Sequence, residues 1–392
     1  MDKKVERGRN MSDINNDNEP IRFGRRTYLD ISLILALIFL IGFGLVMIYS
    51  TTSYSAMVTY GDKFHFIKTQ ALATFLGALC MTALTFVNYR VFRMPVFPLV
   101  AYFVSVPMVF LVKTSIGRVS HGAARWICIG SLTIQPAEVV KLAMILFFAY
   151  YLTKNANKLT NVKEYAKAFA WLGIPCLIVY KVTDNMSSAL IIGLIGYVMI
   201  YVAGKRPNYM YIIAIAGFVL MVLYLTTGDS FRSERVEVWK HPEDFAMGKG
   251  YQTLQALYAI GSGGLFGKGL GNSVQKLGSL PEAQNDMIFS IICEELGIFG
   301  AIAIIALYLF ILHRIYIIAV NAPNLYGSLL VIGVFTHIGS QMVLNIAVVT
   351  NSIPNTGVSL PFLSCGGTSS IFLMFEMGIV LGVSRQIKGF RT

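Results

Sequence analysis

Ten runs of apolar residues, near 29–49, 67–87, 94–112, 138–153, 168–182, 187–203, 209–227, 287–312, 327–349 and 366–384, constrain this chain more than any other feature. Their lengths are close to the roughly 17 to 25 residues that a helix needs to cross about 30 Å of hydrocarbon. Hydrophobic residues make up 55% of the chain and charged residues 13%, with a mean hydropathy of +0.64. A soluble domain of this size with that balance would expose large apolar surface to water. Lipid offers no partner to a bare peptide group, and the runs lack the short alternation of a membrane barrel, so the spans are expected to be helices. The expected fold class is an all-α polytopic membrane protein with about ten transmembrane helices.

Basic residues set the expected orientation. With the N-terminus in the cytoplasm, the inner side collects Lys3, Lys4, Arg7, Arg9, Arg22, Arg25, Arg26, Arg90, Arg93, Lys154, Lys158, Lys205, Arg206, Arg314, Arg385, Lys388 and Arg391, among others. The short outer loops hold Lys63, Lys68, Lys113, Arg118, Arg125 and Lys181. That asymmetry places both termini inside and the segment 228–285 outside, as a large extracytoplasmic loop between helices 7 and 8. Residues 1–26, with mixed charge and no apolar run like a signal peptide, read as a disordered tail. Residues 27–392 read as a single transmembrane domain. The net charge of +12 is explained by this anchoring and by anionic lipid, which argues against nucleic acid as partner.

Cysteine and histidine carry little. Cys80, Cys128, Cys176, Cys293 and Cys365 are odd in number, lack CxxC spacing and fall in or beside spans, as packing residues do. The five histidines show no zinc-ligand spacing. The glycine run Gly261 to Gly271 invites a phosphate-loop reading that fails: Ser262 stands where the loop needs glycine, and Gly269 where it needs Ser or Thr. The glycines are expected to let the chain meet the membrane edge irregularly against protein, with Tyr251, Leu254, Leu257, Tyr258, Leu265 and Phe266 supplying an apolar face.

Charge at or inside the membrane is the sharper signal. Glu138 and Lys141 lie three apart on one helical face, as a steadying ion pair or as part of a substrate cavity. Glu294, Glu295 and Glu376 read mainly as buried polar contacts. Asp286 opens the eighth span beside Glu282 and Gln284 and before Met287-Ile288-Phe289, a setting that can desolvate a carboxylate and raise its pKa toward that of a useful base. The same position also suits a plain helix cap.

Several blocks resemble one family. They are Arg125-Trp126, Gly130-Ser131, Gln135-Pro136-Ala137-Glu138, Lys141-Leu142-Ala143, Gly250-Tyr251-Gln252, Glu294-Glu295-Leu296-Gly297, Pro354, Thr356-Gly357, Leu360-Pro361-Phe362 and Ser364-Cys365-Gly366-Gly367-Thr368-Ser369. In order and from the first span to the last, they are similar to the signature blocks of the SEDS family, named for shape, elongation, division and sporulation. Pro281-Glu282-Ala283-Gln284-Asn285-Asp286-Met287-Ile288-Phe289 resembles the family's PE-x-x-TDFIF block, with Asn for Thr and Met for Phe. The block GNSVQK before Pro281 is closer to division and sporulation members than to elongation members.

The resemblance implies a peptidoglycan glycosyltransferase that polymerises lipid II into β-1,4-linked strands on the outer face of the cytoplasmic membrane. It implies Asp286 as catalytic residue and a class B penicillin-binding protein, a transpeptidase, as partner. Forming a β linkage from an α-linked lipid pyrophosphate is an inverting displacement, for which one carboxylate base suffices. The leaving pyrophosphate needs positive charge, for which Arg125, Arg232, Arg235, Lys249, Lys268 and Lys276 are candidates, with or without a divalent cation such as Mg or Mn. No organic cofactor is expected. Glu282, Glu138, Lys141 and Ser364 complete the candidate substrate contacts. Ala137, Asn185 and Cys365 depart from the family pattern. Two rival functions are a lipid II flippase, which should show paired repeats that this sequence lacks, and a scaffold that recruits a cell-wall transpeptidase.

Overall fold

The computed structural model describes residues 29–120, 123–129, 132–226, 236–248 and 250–387. Among these, nine helices are long and apolar enough to cross a membrane: α1 (Ile31–Tyr60), α2 (His65–Phe86), α3 (Val96–Met108, continued by a 3₁₀ turn to Lys113), α4 (Pro136–Asn155), α5 (Val162–Thr183), α6 (Met186–Ala203), α9 (Ile288–Val320), α10 (Leu325–Val349) and α11 (Gly367–Ser384). The remaining expected window is covered by α7 (Pro207–Thr226). The expected helical membrane architecture is therefore present. The N-terminal tail expected over residues 1–26 lies outside the described residues.

Two helices run well past the C-terminal ends of their apolar windows. α1 continues through Ser50, Thr51 and Thr52 because Thr51 and Thr52 return their hydroxyls to the carbonyls of Met47 and Ile48, at 2.9 and 2.7 Å. α9 continues past His313 and Arg314, whose guanidinium meets Asp30 at 2.8 Å. Asp30 also caps α1 by accepting from Leu33 N–H. One buried carboxylate thus ties the start of α1 to the far end of α9.

α4 forms the centre, with 78% of its apolar window buried against 22% for α2 at the periphery. It packs on α3, α6, α10 and α11. Inside this bundle Lys141 Nζ lies 2.7 Å from Glu138 Oε1, and His337 Nδ1 lies 2.8 Å from Glu376 Oε2. All four side chains are buried, and pairing is what makes such burial tolerable in a medium without water.

A three-stranded antiparallel sheet between α3 and α4 was not expected from the sequence. It is formed by β1 (Gly117–Ser120), β2 (Ala123–Ile129) and β3 (Leu132–Ile134), in the order β1-β2-β3, with a bulge between Arg118 and Val119. The segment between α7 and α9 also carries a helix, α8 (Tyr251–Gly263).

The glycine run after α8 meets α9 backbone to backbone. Gly297, at φ 68° and ψ −167°, breaks the helical path of α9. Across the break Lys268 and Gly269 N–H donate to the carbonyls of Glu294 and Glu295, both at 2.9 Å, and Ile298 N–H donates to Gly264 O at 3.0 Å. A Cβ on Gly297 would fall 2.4 Å from Gly267 N and from Leu265 O, so this crossing requires glycine.

Candidate active site

Asp286 lies in an irregular turn between α8 and α9. The N-cap of α9 is Met287, which makes no side-chain capping bond, so Asp286 is not held as a helix cap. Its backbone is fixed instead by three successive carbonyls. Gln284 O accepts from Cys365 N–H at 2.8 Å, Asn285 O from Ser364 Oγ at 2.6 Å, and Asp286 O from Asn345 Nδ2 at 2.7 Å. The donors come from α10 and from the loop that leads into α11. Ser364 Oγ is itself oriented by Leu360 N–H at 2.8 Å.

With its backbone held from behind, the Asp286 side chain remains available. Oδ1 is buried and has no hydrogen-bond partner among the described residues. Oδ2 lies 3.7 Å from the point where a Cβ on Gly357 would stand, and Gly357 adopts φ +67°. The positive φ would strain a side chain there, whose Cβ would only touch the carboxylate. Burial pushes the Asp286 carboxyl up to about 7, and the nearby Glu282 charge pushes in the same direction. Glu282 sits at φ 55° and accepts from Asn285 Nδ2 within the same turn.

The walls come from three further segments. Gln252 of α8 donates to Pro281 O at 3.2 Å and accepts from Asn355 Nδ2 at 2.9 Å. Ser187, at the start of α6, donates to Thr356 O at 2.7 Å. Asn185 caps α6 by accepting from Ser188 N–H, a role that its departure from the family pattern leaves intact.

The basic candidates divide by what they touch. Arg125 Nη2 donates to Asp184 O at 3.1 Å and its Nε to Thr183 O at 3.4 Å, placing it on the α5–α6 turn. Lys268 Nζ lies 2.7 Å from Glu294 Oε1 and keeps 34% of its side chain exposed. Lys276 Nζ lies 2.8 Å from Glu295 Oε1 and 3.0 Å from Ser50 Oγ and is buried. Arg232, Arg235 and Lys249 lie outside the described residues. Glu138 and Lys141 pair with each other inside the bundle, and Ser364 is engaged with the Asp286 turn rather than open to a ligand.

Asn345 escaped the sequence reading, because a single Asn in an apolar helix is usually a packing contact. The available signal was spacing: His337, Gln341 and Asn345 recur every four residues and so share one face of α10.

Among the described residues no three His, Cys, Asp or Glu side chains group to hold a metal.

Known proteins resemble this chain along nearly its whole length. Stage V sporulation protein E of Bacillus subtilis is 36% identical over 367 residues, covering 92% of this chain and 98% of that protein. A probable peptidoglycan glycosyltransferase FtsW of Geobacter metallireducens is 36% identical over 369 residues, covering 92% and 96%. Among solved structures, a chain of a peptidoglycan synthase complex superposes with a TM-score of 0.74 at 24% identity, covering 91% of this chain and 98% of that one. The rod shape determining protein RodA of Thermus thermophilus superposes with a TM-score of 0.68 at 24% identity, covering 92% and 98%. These two share the fold. With residues 31–389 matching the family model as well, the chain belongs to the FTSW_RODA_SPOVE family of cell cycle proteins.

Proposed function

We propose that this protein is a peptidoglycan glycosyltransferase that polymerises lipid II at the outer face of the bacterial cytoplasmic membrane, with both termini in the cytoplasm. The observation that carries the catalytic assignment is the Asp286 carboxylate: its backbone is fixed, Oδ1 is unpartnered and buried, and its pKa is pushed up to about 7.

In the reaction Asp286 accepts the proton of the attacking sugar 4-hydroxyl as that oxygen forms its bond to the donor C1. The C1–O bond to pyrophosphate breaks from the opposite face. Undecaprenyl pyrophosphate leaves with the electron pair, and the α linkage becomes β. A base with a pKa near the working pH combines a sufficient ionised fraction with good proton affinity. Arg125, with Arg232, Arg235 and Lys249, supplies the cations we assign to the leaving group; Lys268 and Lys276 are committed to Glu294 and Glu295 and seat the loop. A divalent cation bound to the substrate pyrophosphate would supply further charge neutralisation to the leaving group while leaving Asp286 free as the base.

The relatives favour a division or sporulation role, and a class B penicillin-binding protein is the partner that this chemistry calls for, since glycan strands must then be crosslinked. The test is polymerisation of labelled lipid II by the purified protein, alone and with its transpeptidase partner. Glycan ladders are expected. Their absence with the partner and added Mg or Mn would favour transport or scaffolding.

A further inference from the structure

We propose that Asn345 is a positioning residue for the reaction, holding the Asp286 turn at the working distance from the Thr356–Gly357 segment. The proposal rests on the assignment of Asp286 as base and extends it to a residue that touches neither reacting atom.

Asn345 lies on α10 and is fully buried. Its Nδ2 donates to two carbonyls at once, Asp286 O and Val358 O, both at 2.7 Å. An amide nitrogen carries two hydrogens, so both bonds form together. The opposite amide orientation would set oxygen against two carbonyl oxygens, which fixes the orientation without ambiguity. One side chain therefore joins the residue that carries the base to the residue directly after Gly357, the glycine that faces Asp286 Oδ2.

The rest of the turn shows why this bond matters. Gln284 and Asn285 are held by the loop before α11, through Cys365 N–H and Ser364 Oγ. Asp286 is the last residue before the N-cap of α9, and Asn345 is the group that secures its carbonyl from α10. Without that bond the Asp286–Met287 peptide keeps only the long contact from Met287 N–H to Glu282 O, at 3.5 Å. Its carbonyl and that of Val358 would then lie beside an apolar helix face with no donor, a cost that favours movement of the turn. Displacing a catalytic group by about 1 Å can cost on the order of 10²-fold in rate. The effect should fall on turnover and not on binding, since Asn345 is too deeply buried to meet lipid II.

The experiment compares Asn345→Leu, which keeps the heavy-atom count and branching but removes the donor, with Ser364→Ala and Ser364→Thr, all in the full chain with its transpeptidase partner. For Asn345→Leu we expect kcat to fall by about 10²-fold with KM for lipid II within about twofold. The inflection of its pH–rate profile should move to lower pH as water reaches the carboxylate. Ser364→Ala should show a smaller loss of kcat that Ser364→Thr restores. Parent kcat in folded Asn345→Leu protein would overturn the proposal while leaving the Asp286 assignment standing. A loss explained entirely by the unfolded fraction, with the folded remainder turning over at the parent rate, would also overturn it. If Asn345→Leu does not fold, the serine pair decides: unchanged kcat in Ser364→Ala argues against a turn held for catalysis. Asp286→Asn, run alongside, tests the underlying assignment separately.

Discussion

Asp286 and the pair Glu294–Glu295 lie little more than two helical turns apart, yet their carboxylates are treated in opposite ways. Glu294 is surrounded by donors: Lys268 Nζ at 2.7 Å, Ser273 Oγ at 2.5 Å and Val274 N–H at 3.1 Å. Glu295 accepts from Lys276 Nζ at 2.8 Å and Ser50 Oγ at 2.7 Å. Asp286 has its backbone secured and Oδ1 left without a partner among the described residues. A buried carboxylate whose lone pairs are all taken is a fastener, here tying the loop after α8 to α1 and α9. One with an oxygen left unpartnered is destabilised in its charged form, and it persists only where surrounding structure holds it. The difference separates the residues that build the site from the one that works in it.

The largest effect that would sharpen this contrast is on turnover. Asp286→Asn should lower glycan synthesis by about 10²- to 10⁴-fold, the usual worth of a general base, with membrane insertion preserved and the melting temperature not lowered. Radiolabelled or fluorescent lipid II read out on gels checks the first part, and thermal melting in detergent the second.

At Glu295 the expectation reverses. Glu295→Leu strands the buried Lys276 ammonium and should cost about 3 to 5 kcal/mol, seen as a lower melting temperature. Adding Lys276→Met should recover most of that loss. A double variant no more stable than the single one would show that the ion pair is not what fastens the loop.

Stability against pH separates the two regions further. The native Asp286 carboxyl keeps its proton up to about 7, whereas an unfolded one releases it near 3.8. Between those values the native state binds more protons, so the Asp286 contribution to stability falls as pH rises from about 4 to about 7. Asp286→Asn, neutral throughout, should flatten that part of the stability profile. The smallest effect belongs to Glu282→Gln, which removes a like charge beside Asp286 and should move the pH–rate inflection to slightly lower pH.

Much of this was legible in the sequence for physical reasons. Apolar run length marks membrane helices because lipid thickness is fixed, and the windows met their helices to within a few residues wherever hydropathy changes sharply. They fell short in α1, where Ser50, Thr51 and Thr52 look polar but satisfy themselves on the helix's own carbonyls. The sheet over Gly117–Ile134 was missed because its strands are short and one is bulged. Asp286 stood out through its motif and its placement between polar loop and apolar helix. What holds it did not, because Asn345, Ser364 and Cys365 reach it across long sequence separations. The pairing of Lys268 and Lys276 with Glu294 and Glu295 was hidden for the same reason: the glycine-dependent crossing at Gly297 brings them together.

The most direct test of a desolvated base at Asp286 is the pH–rate profile of lipid II polymerisation by the purified complex, measured for the parent and for Asp286→Asn. A desolvated carboxylate gives a parent rate that rises with pH through an inflection near 7 and a variant with little residual rate and no such inflection. A parent profile that inflects near 4, or an Asp286→Asn profile that keeps the parent's shape and height, would contradict it.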